Sequence, residues 1–272
     1  MEKLVKYVAR VSVFSRRKSE TLIKAGKVKI NNVIVQDLSA SINSGDSVTI
    51  DNEIIKSEPV KLYIALNKPD GYISDLQDPH KRKLARDLIK INGRIFPVGR
   101  LDYHSDGLMI FTNDGDFANE IMHPKYGIEK EYLVKVKGSF SKEEIQKMKK
   151  GVIINGENYK IEGIQFVRTA VKNAFREKEQ VMMKSKNLQR LFKNRDKTDI
   201  ETKNTWYSIT VNEGKNRMIR KIGDVMNHPV LKLKRVRIGK LKLDGLESGK
   251  YRFFEKIEAL GNKISTKKKK NM

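Results

Sequence analysis

The amino-acid sequence predicts an α+β chain in two parts: a small basic N-terminal domain, then a larger domain on a mixed, mainly antiparallel sheet. Three observations carry this. Stretches with strand alternation outnumber those with helical spacing. Two dipeptides suited to hairpin turns, Asn31-Asn32 and Asp51-Asn52, separate short alternating stretches near the N-terminus. The segment "KSEPVK" at 56–61 interrupts both patterns with Pro59, so the chain divides there.

Taken in order, "MEKLVKYVARVSVF" places Leu4, Val8 and Val11 on one helical face and reads as a folded helix. A second helix opens at "SRRKSE" with Ser15 as N-cap, runs through Leu22 and Ile23, and ends at Gly26. "KVKI", "VIVQ", "DSVTI" and "EII" follow as short strands. The first domain thus spans 1–57 and the second 58–262. The second begins with the strand "LYIALNKP", and further strands are expected at 108–112, 131–136, 206–211 and 230–238. Helices are expected at 83–90, 116–122, 141–149 and 216–226. Between 168 and 203 the alternation fails, with eleven basic and five acidic residues, and this segment reads as a basic insertion. Residues 263–272 form a solvated basic tail.

The formal net charge is +24, which favours a polyanionic partner. Lysine outnumbers arginine 41 to 16, so biased composition accounts for part of that charge. Its distribution is more telling. Nine basic residues and one acidic residue, Glu20, lie between positions 3 and 29. Arg16, Arg17, Lys18, Lys24 and Lys27 cluster on and beside the second helix, where they suit contacts to nucleic-acid phosphates. No apolar run is long enough to cross a bilayer, and no cysteine is present to form a disulfide, a thiolate metal site or a nucleophile.

Several chemistries fail on inspection. His80, His104, His123 and His228 are scattered without metal-ligand spacing, and neither a phosphate loop nor a dinucleotide fingerprint occurs. What remains is "GRLDYHSDGLMIF" at 99–111, where Asp102 stands between Gly99 and Gly107 just ahead of an apolar strand. Alone, such a tetrapeptide is more often a turn with a capping carboxylate.

Three more stretches change that balance: "LNKPDGYISD" from 66, "KEYLVKVKG" from 130 and "EGKNRMIRKIGDVMNHPVLKLKRVRIG" from 213. With "GRLDYHSDGLMIFTNDGDFANEIMHP" from 99, they resemble the ribosomal RNA pseudouridine synthases of the RsuA/RluB family. The first sixty residues resemble the S4-type RNA-binding domain that commonly precedes the family's catalytic domain. "GRLDY" and "HPKY" (123–126) look more like the large-subunit enzymes. The resemblance implies isomerisation of a uridine in ribosomal RNA, by a carboxylate and without cofactor or metal. It makes Asp102 the catalytic aspartate and Tyr132 the residue that packs against the flipped base. It makes Arg220 the partner that keeps a buried Asp102 charged. Arg100 is expected to touch RNA backbone or help hold the base out of its stack. Ser105 and Met218 depart from the family pattern, which usually has threonine and glutamine there.

The expected partner is ribosomal RNA, free or within a ribosome-assembly intermediate. A monomer acting in the cytoplasm, with no membrane contact, is expected. The alternative from another class is a non-catalytic RNA-binding assembly factor on the same scaffold. A DNA-binding protein would need a groove-reading helix, and none is found.

Overall fold

The computed structural model describes residues 1–54, 59–167 and 204–261. The first segment holds β1 (Glu2–Lys3), α1 (Leu4–Val11), α2 (Arg16–Lys24), β2 (Val28–Ile30), β3 (Val33–Ile34), β4 (Ser41–Ile42), β5 (Val48–Ile50) and β6 (Glu53–Ile54). Helix α2 starts where the Ser15 Oγ accepts from the Lys18 N–H at 3.2 Å. It stops where Gly26 adopts φ +70°. Both hairpin dipeptides have positive φ at each residue, 50° and 68° at Asn31-Asn32, 47° and 71° at Asp51-Asn52. The antiparallel sheet has the order β3-β2-β5-β6, and β1 pairs separately with β4. Leu4, Val8, Leu22, Ile23, Val28 and Val48 form its core with the helices. Each such side chain contributes about 1.5–3 kcal/mol by leaving water.

The larger part contains β7 (Tyr63–Lys68), β8 (Phe96–Val98), β9 (Asp106–Thr112), α3 (Gly115–Met122), β10 (Lys130–Val136), α4 (Lys142–Lys150), β11 (Val152–Ile154), β12 (Glu157–Tyr159) and β13 (Gly163–Phe166). After 204 come β14 (Thr205–Val211), α5 (Met218–Val225), β15 (Val230–Ile238), β16 (Leu241–Lys242), β17 (Tyr251–Phe253) and α6 (Lys256–Leu260). Among the described residues, nine strands form one sheet in the order β13-β14-β10-β15-β9-β7-β17, with β16 added to β15 and β8 to β9. The pairing of β15 with β9 is parallel, at Lys234–Asp106 and Arg235–Gly107. The other neighbours are antiparallel. The sheet is therefore two antiparallel halves joined at one parallel seam.

The apolar run Leu108–Phe111 is explained by burial on both faces of β9. Leu108 and Ile110 pack with Phe117 and Ile121, and Met109 and Phe111 pack with Ile64, Leu66 and Ile95. A third core, including Val134, Ile209, Met218 and Ile222, lies under the other half of the sheet.

One expectation needs correction. Residues 83–90 do not form a helix beyond a 3₁₀ turn at Ala85–Leu88. The backbone there is committed to Ile73 instead: the Ile73 N–H donates to the Lys83 carbonyl and the Ala85 N–H to the Ile73 carbonyl, both at 2.8 Å. Strands β1, β4, β8, β11 to β13, β16 and β17, and helix α6, add to the elements that periodicity predicts; each has five residues or fewer. The 57/58 boundary, the insertion at 168–203 and the tail at 263–272 lie outside the described residues. No described helix is long and apolar enough to cross a membrane.

Candidate active site

Asp102 lies in the loop between β8 and β9, at the seam of the sheet. Gly99, with φ +76°, turns the chain out of β8 in a conformation that L side chains rarely adopt. Gly107 has φ +108°, and a Cβ there would overlap the Arg235 backbone of the parallel neighbour. Glycine at 107 therefore lets β9 approach β15 closely enough to bring the Asp102 loop against α5.

The Asp102 Oδ2 lies 3.5 Å from the Arg220 Nε and 3.5 Å from the Arg217 Nη1. Its side chain is 28% exposed, so the expected buried carboxylate is partly open to solvent, because the loop forms one wall of a cavity. Arg220, on α5, is anchored independently of Asp102. Its Nη2 donates to the His104 carbonyl at 2.6 Å and the Ser105 Oγ at 3.2 Å, and its Nη1 to the Val230 carbonyl at 3.1 Å. The Nε is buried and makes no hydrogen bond, so its approach to Asp102 is an ion-pair contact. Burial lowers the Arg220 pKa, Asp102 opposes that, and Arg217 adds to it. The guanidinium stays charged at any pH of interest. Arg217 holds a left-handed conformation, φ 52°, just before α5.

Two further cations complete the surroundings. Lys68, at the end of β7, is fully buried. Its Nζ donates to the carbonyls of Ser105 at 2.7 Å, Pro69 at 3.0 Å and Asp102 at 3.3 Å, tying the loop's backbone to the sheet. Burial brings its pKa from 10.5 down to about 8, against the pull of Asp70, Asp106 and Asp102. Arg235, on β15, is 4% exposed. Its Nε donates to the Leu108 carbonyl at 2.8 Å, and its Nη1 lies 3.4 Å from the Tyr132 hydroxyl.

Tyr132, on β10, stands directly opposite Arg235 in the antiparallel register, beside a bulge between Glu131 and Tyr132. Asp102, Tyr132, Arg235, Arg217, Met218 and Leu233 are among the residues lining one cavity of about 210 Å³. Such a cavity offers two carboxylates, Asp102 and Glu213, one aromatic ring and a cationic wall. It suits the capture of an extruded base attached to a polyanionic strand, with the Asp102 carboxylate available to the sugar or the base.

The expected residues divide as follows. Asp102, Tyr132 and Arg220 are brought together. Arg100 lines the same cavity, but its side chain is 69% exposed and lies 3.4 Å from Asp75. Arg16, Arg17, Lys18, Lys24 and Lys27 are all exposed on the N-terminal unit, with Lys27 3.2 Å from Asp51. The expectations from sequence do not include Arg217, Lys68 or Arg235. A signal exists for Arg235: it follows Leu231 and Leu233 at strand period, on the side that Leu233 gives to the core. Among the described residues, no group of three or more His, Asp or Glu side chains is arranged to hold a metal ion.

A basic helical unit ahead of a cleft whose Asp102 carboxylate lies among cations fits an enzyme that acts on RNA and carries its own RNA-binding module. Comparison with known proteins gives the class its name. The RNA pseudouridylate synthase family matches residues 62–223, and the S4 domain matches residues 2–48. The chain is 39% identical to ribosomal large subunit pseudouridine synthase B of Bacillus subtilis, covering 92% of this chain and 90% of that protein. It is 32% identical to the Pseudomonas aeruginosa protein of the same name, covering 98% of this chain and 63% of that one. A solved pseudouridylate synthase shares the fold at a TM-score of 0.59 and 23% identity, covering 96% of this chain and all of the other. The chain belongs to the RNA pseudouridylate synthase family, with an S4 domain ahead of the catalytic part. It is an isomerase that converts uridine to pseudouridine in RNA.

Proposed function

We propose that this enzyme modifies a specific uridine of large-subunit ribosomal RNA, with Asp102 as its catalytic carboxylate. The observation that carries the residue assignment is that Asp102 and Tyr132 line one cavity from separate elements while Arg220, from a third, lies 3.5 Å from the Asp102 carboxylate. The similarity to the large-subunit enzyme of Bacillus subtilis supports the substrate. The chain divides into an S4 domain at 1–57, a catalytic domain at 58–262 with a basic insertion at 168–203, and a basic tail at 263–272.

In this reading, Arg16, Arg17, Lys18, Lys24 and Lys27 hold RNA phosphates and fix the enzyme's position without reading sequence. The target uridine leaves its stack and lies against the Tyr132 ring, with Arg100 near the backbone or in the space the base vacated. Asp102, 3.5 Å from both Arg217 and Arg220, takes part in breaking the N1–C1′ bond. It either bonds to C1′ or removes the C2′ proton, and the bond's electron pair leaves with the base. The base turns and C5 bonds to C1′ as the Asp102–C1′ bond breaks or as Asp102 returns the proton to C2′; the C5 proton is then lost and N1 gains one, so the product is an isomer. The enzyme works as a monomer in the cytoplasm, on free RNA or an assembly intermediate.

The test maps pseudouridines at single-nucleotide resolution in ribosomal RNA from cells with the gene, without it, and carrying Asp102→Asn. Loss of one large-subunit site in both the deletion and the variant is expected. A lost small-subunit site would overturn the substrate. No lost site, with the protein still bound to ribosomal precursors, would replace this reading with that of an assembly factor. An unchanged map in the variant alone would remove Asp102 from the mechanism.

A further inference from the structure

Arg235 is a buried cation that neither the fold nor the roles assigned so far explain. Its side chain is 4% exposed, and no carboxylate lies within ion-pair distance among the described residues. Burying a charge without a counter-ion is costly, and a neutral residue on this strand would avoid the cost. Of its donors, only the Nε is well used, in the 2.8 Å bond to the Leu108 carbonyl. The Nη1 has two long contacts, 3.4 Å to the Tyr132 hydroxyl and 3.5 Å to the Arg100 carbonyl. The Nη2 is buried with no hydrogen-bond partner among the described residues. A guanidinium with spare donors lies in the wall of the cavity that Tyr132 and Asp102 share. Its centre stands 6.0 Å from the Tyr132 ring centroid, so whatever packs on that ring lies in the guanidinium's field.

We propose that Arg235 is a catalytic residue that stabilises the detached uracil as an anion. The inference rests on the proposed isomerisation chemistry. When the N1–C1′ bond breaks, its electron pair stays on the base and spreads over N1, O2 and O4. That charge exists only between bond cleavage and formation of the new C5–C1′ bond, which takes the pair back. A preorganised, desolvated cation in the cavity wall stabilises such transient charge far better than it stabilises the neutral uridine. The same charge holds the free base in place while it turns from N1 to C5. Asp102 does not do this, being an anion itself, and Arg220 is committed to the loop and to Asp102.

The experiment uses the full chain with unmodified transcripts of both ribosomal RNAs, made with uridine or with 5-fluorouridine. The wild-type enzyme first locates the modified site on either RNA, so an error in the assigned subunit shows itself separately. Single-turnover rates of conversion of the N1-linked nucleotide to its C5-linked form at that site are then measured for wild type, Arg235→Met and Arg235→Lys; on 5-fluorouridine, which has no C5 proton to lose, the C5-linked product keeps its fluorine. Fluorine withdraws electrons and stabilises the base anion by itself, so removal of Arg235 should matter less on that substrate. We expect Arg235→Met to lower the rate on uridine roughly 100-fold. The loss on 5-fluorouridine should be about tenfold or less, with RNA affinity changed by less than about threefold. Arg235→Lys, which keeps the charge but not the fork of donors, should fall between. Equal losses on the two substrates would assign Arg235 a merely structural role and overturn the proposal, as would an unchanged rate. If Arg235→Met does not fold, the same comparison on Arg235→Lys decides. No conversion of any uridine by wild type would overturn both the proposal and the function on which it rests.

Discussion

Lys68 makes the stability of this enzyme depend on pH in an unusual direction. Its ammonium is fully buried, and burial brings its pKa from 10.5 to about 8 in the folded protein. Below pH 8 both folded and unfolded chains carry the proton. Between 8 and 10.5 the unfolded chain still binds it while the folded one has released it, so stability rises with pH in that window. A depression of this size corresponds to about 3 kcal/mol, of which about 2–3 kcal/mol should be gained by pH 10. Lys68→Met removes the titrating group and keeps an unbranched chain in its place. Urea unfolding followed through Trp206 reports the larger domain, because the chain has one tryptophan and it lies on β14. The quantity of interest is the stability difference between wild type and variant at pH 7 and at pH 10. Lys130, also brought down to about 8 by burial, and the raised Tyr63 are common to both proteins and cancel in that difference. The difference should shift in favour of wild type by about 2–3 kcal/mol at the higher pH. A difference that stays constant, or shifts the other way, would refute the reasoning that Lys68 is held as a destabilised cation.

Three other outcomes follow from the geometry. Gly107→Ala should destabilise the protein by at least about 2 kcal/mol, since φ is +108° and the new Cβ meets the Arg235 backbone; thermal melting checks this, and an unchanged midpoint would argue against the seam. Arg220→Lys should reduce the single-turnover rate at least tenfold and stability by about 2–4 kcal/mol, because one ammonium does not replace bonds to His104, Ser105 and Val230 together. Replacing Arg16, Arg17 and Lys18 with glutamine should weaken RNA binding while leaving the rate at saturating RNA unchanged. The slope of log affinity against log salt should fall by roughly 0.7–0.9 for every phosphate that the variant no longer neutralises. A retained slope would mean that this helix face does not meet RNA.

Local elements and most of the site's chemistry are written in the sequence. Ser15, the Asn31-Asn32 turn and the alternation of 230–238 act between near neighbours, so their effects show in adjacent residues. Asp102, Tyr132 and Arg220 are legible because the motifs around them resemble a family whose chemistry assigns each a part. Which strands meet is settled only by the three-dimensional fold. The parallel seam joins Gly107 to Arg235 across more than a hundred residues, and only there does the requirement for glycine become visible. Separation along the chain also hides Lys68, whose partners include the carbonyls of Asp102 and Ser105 more than thirty residues on, and Arg217, which reads as another basic residue until α5 brings it to Asp102. Backbone preference and hydrophobic period are local properties, whereas desolvation and the pairing of charges depend on what the fold places within a few ångströms. The cationic surroundings of Asp102 are of the second kind.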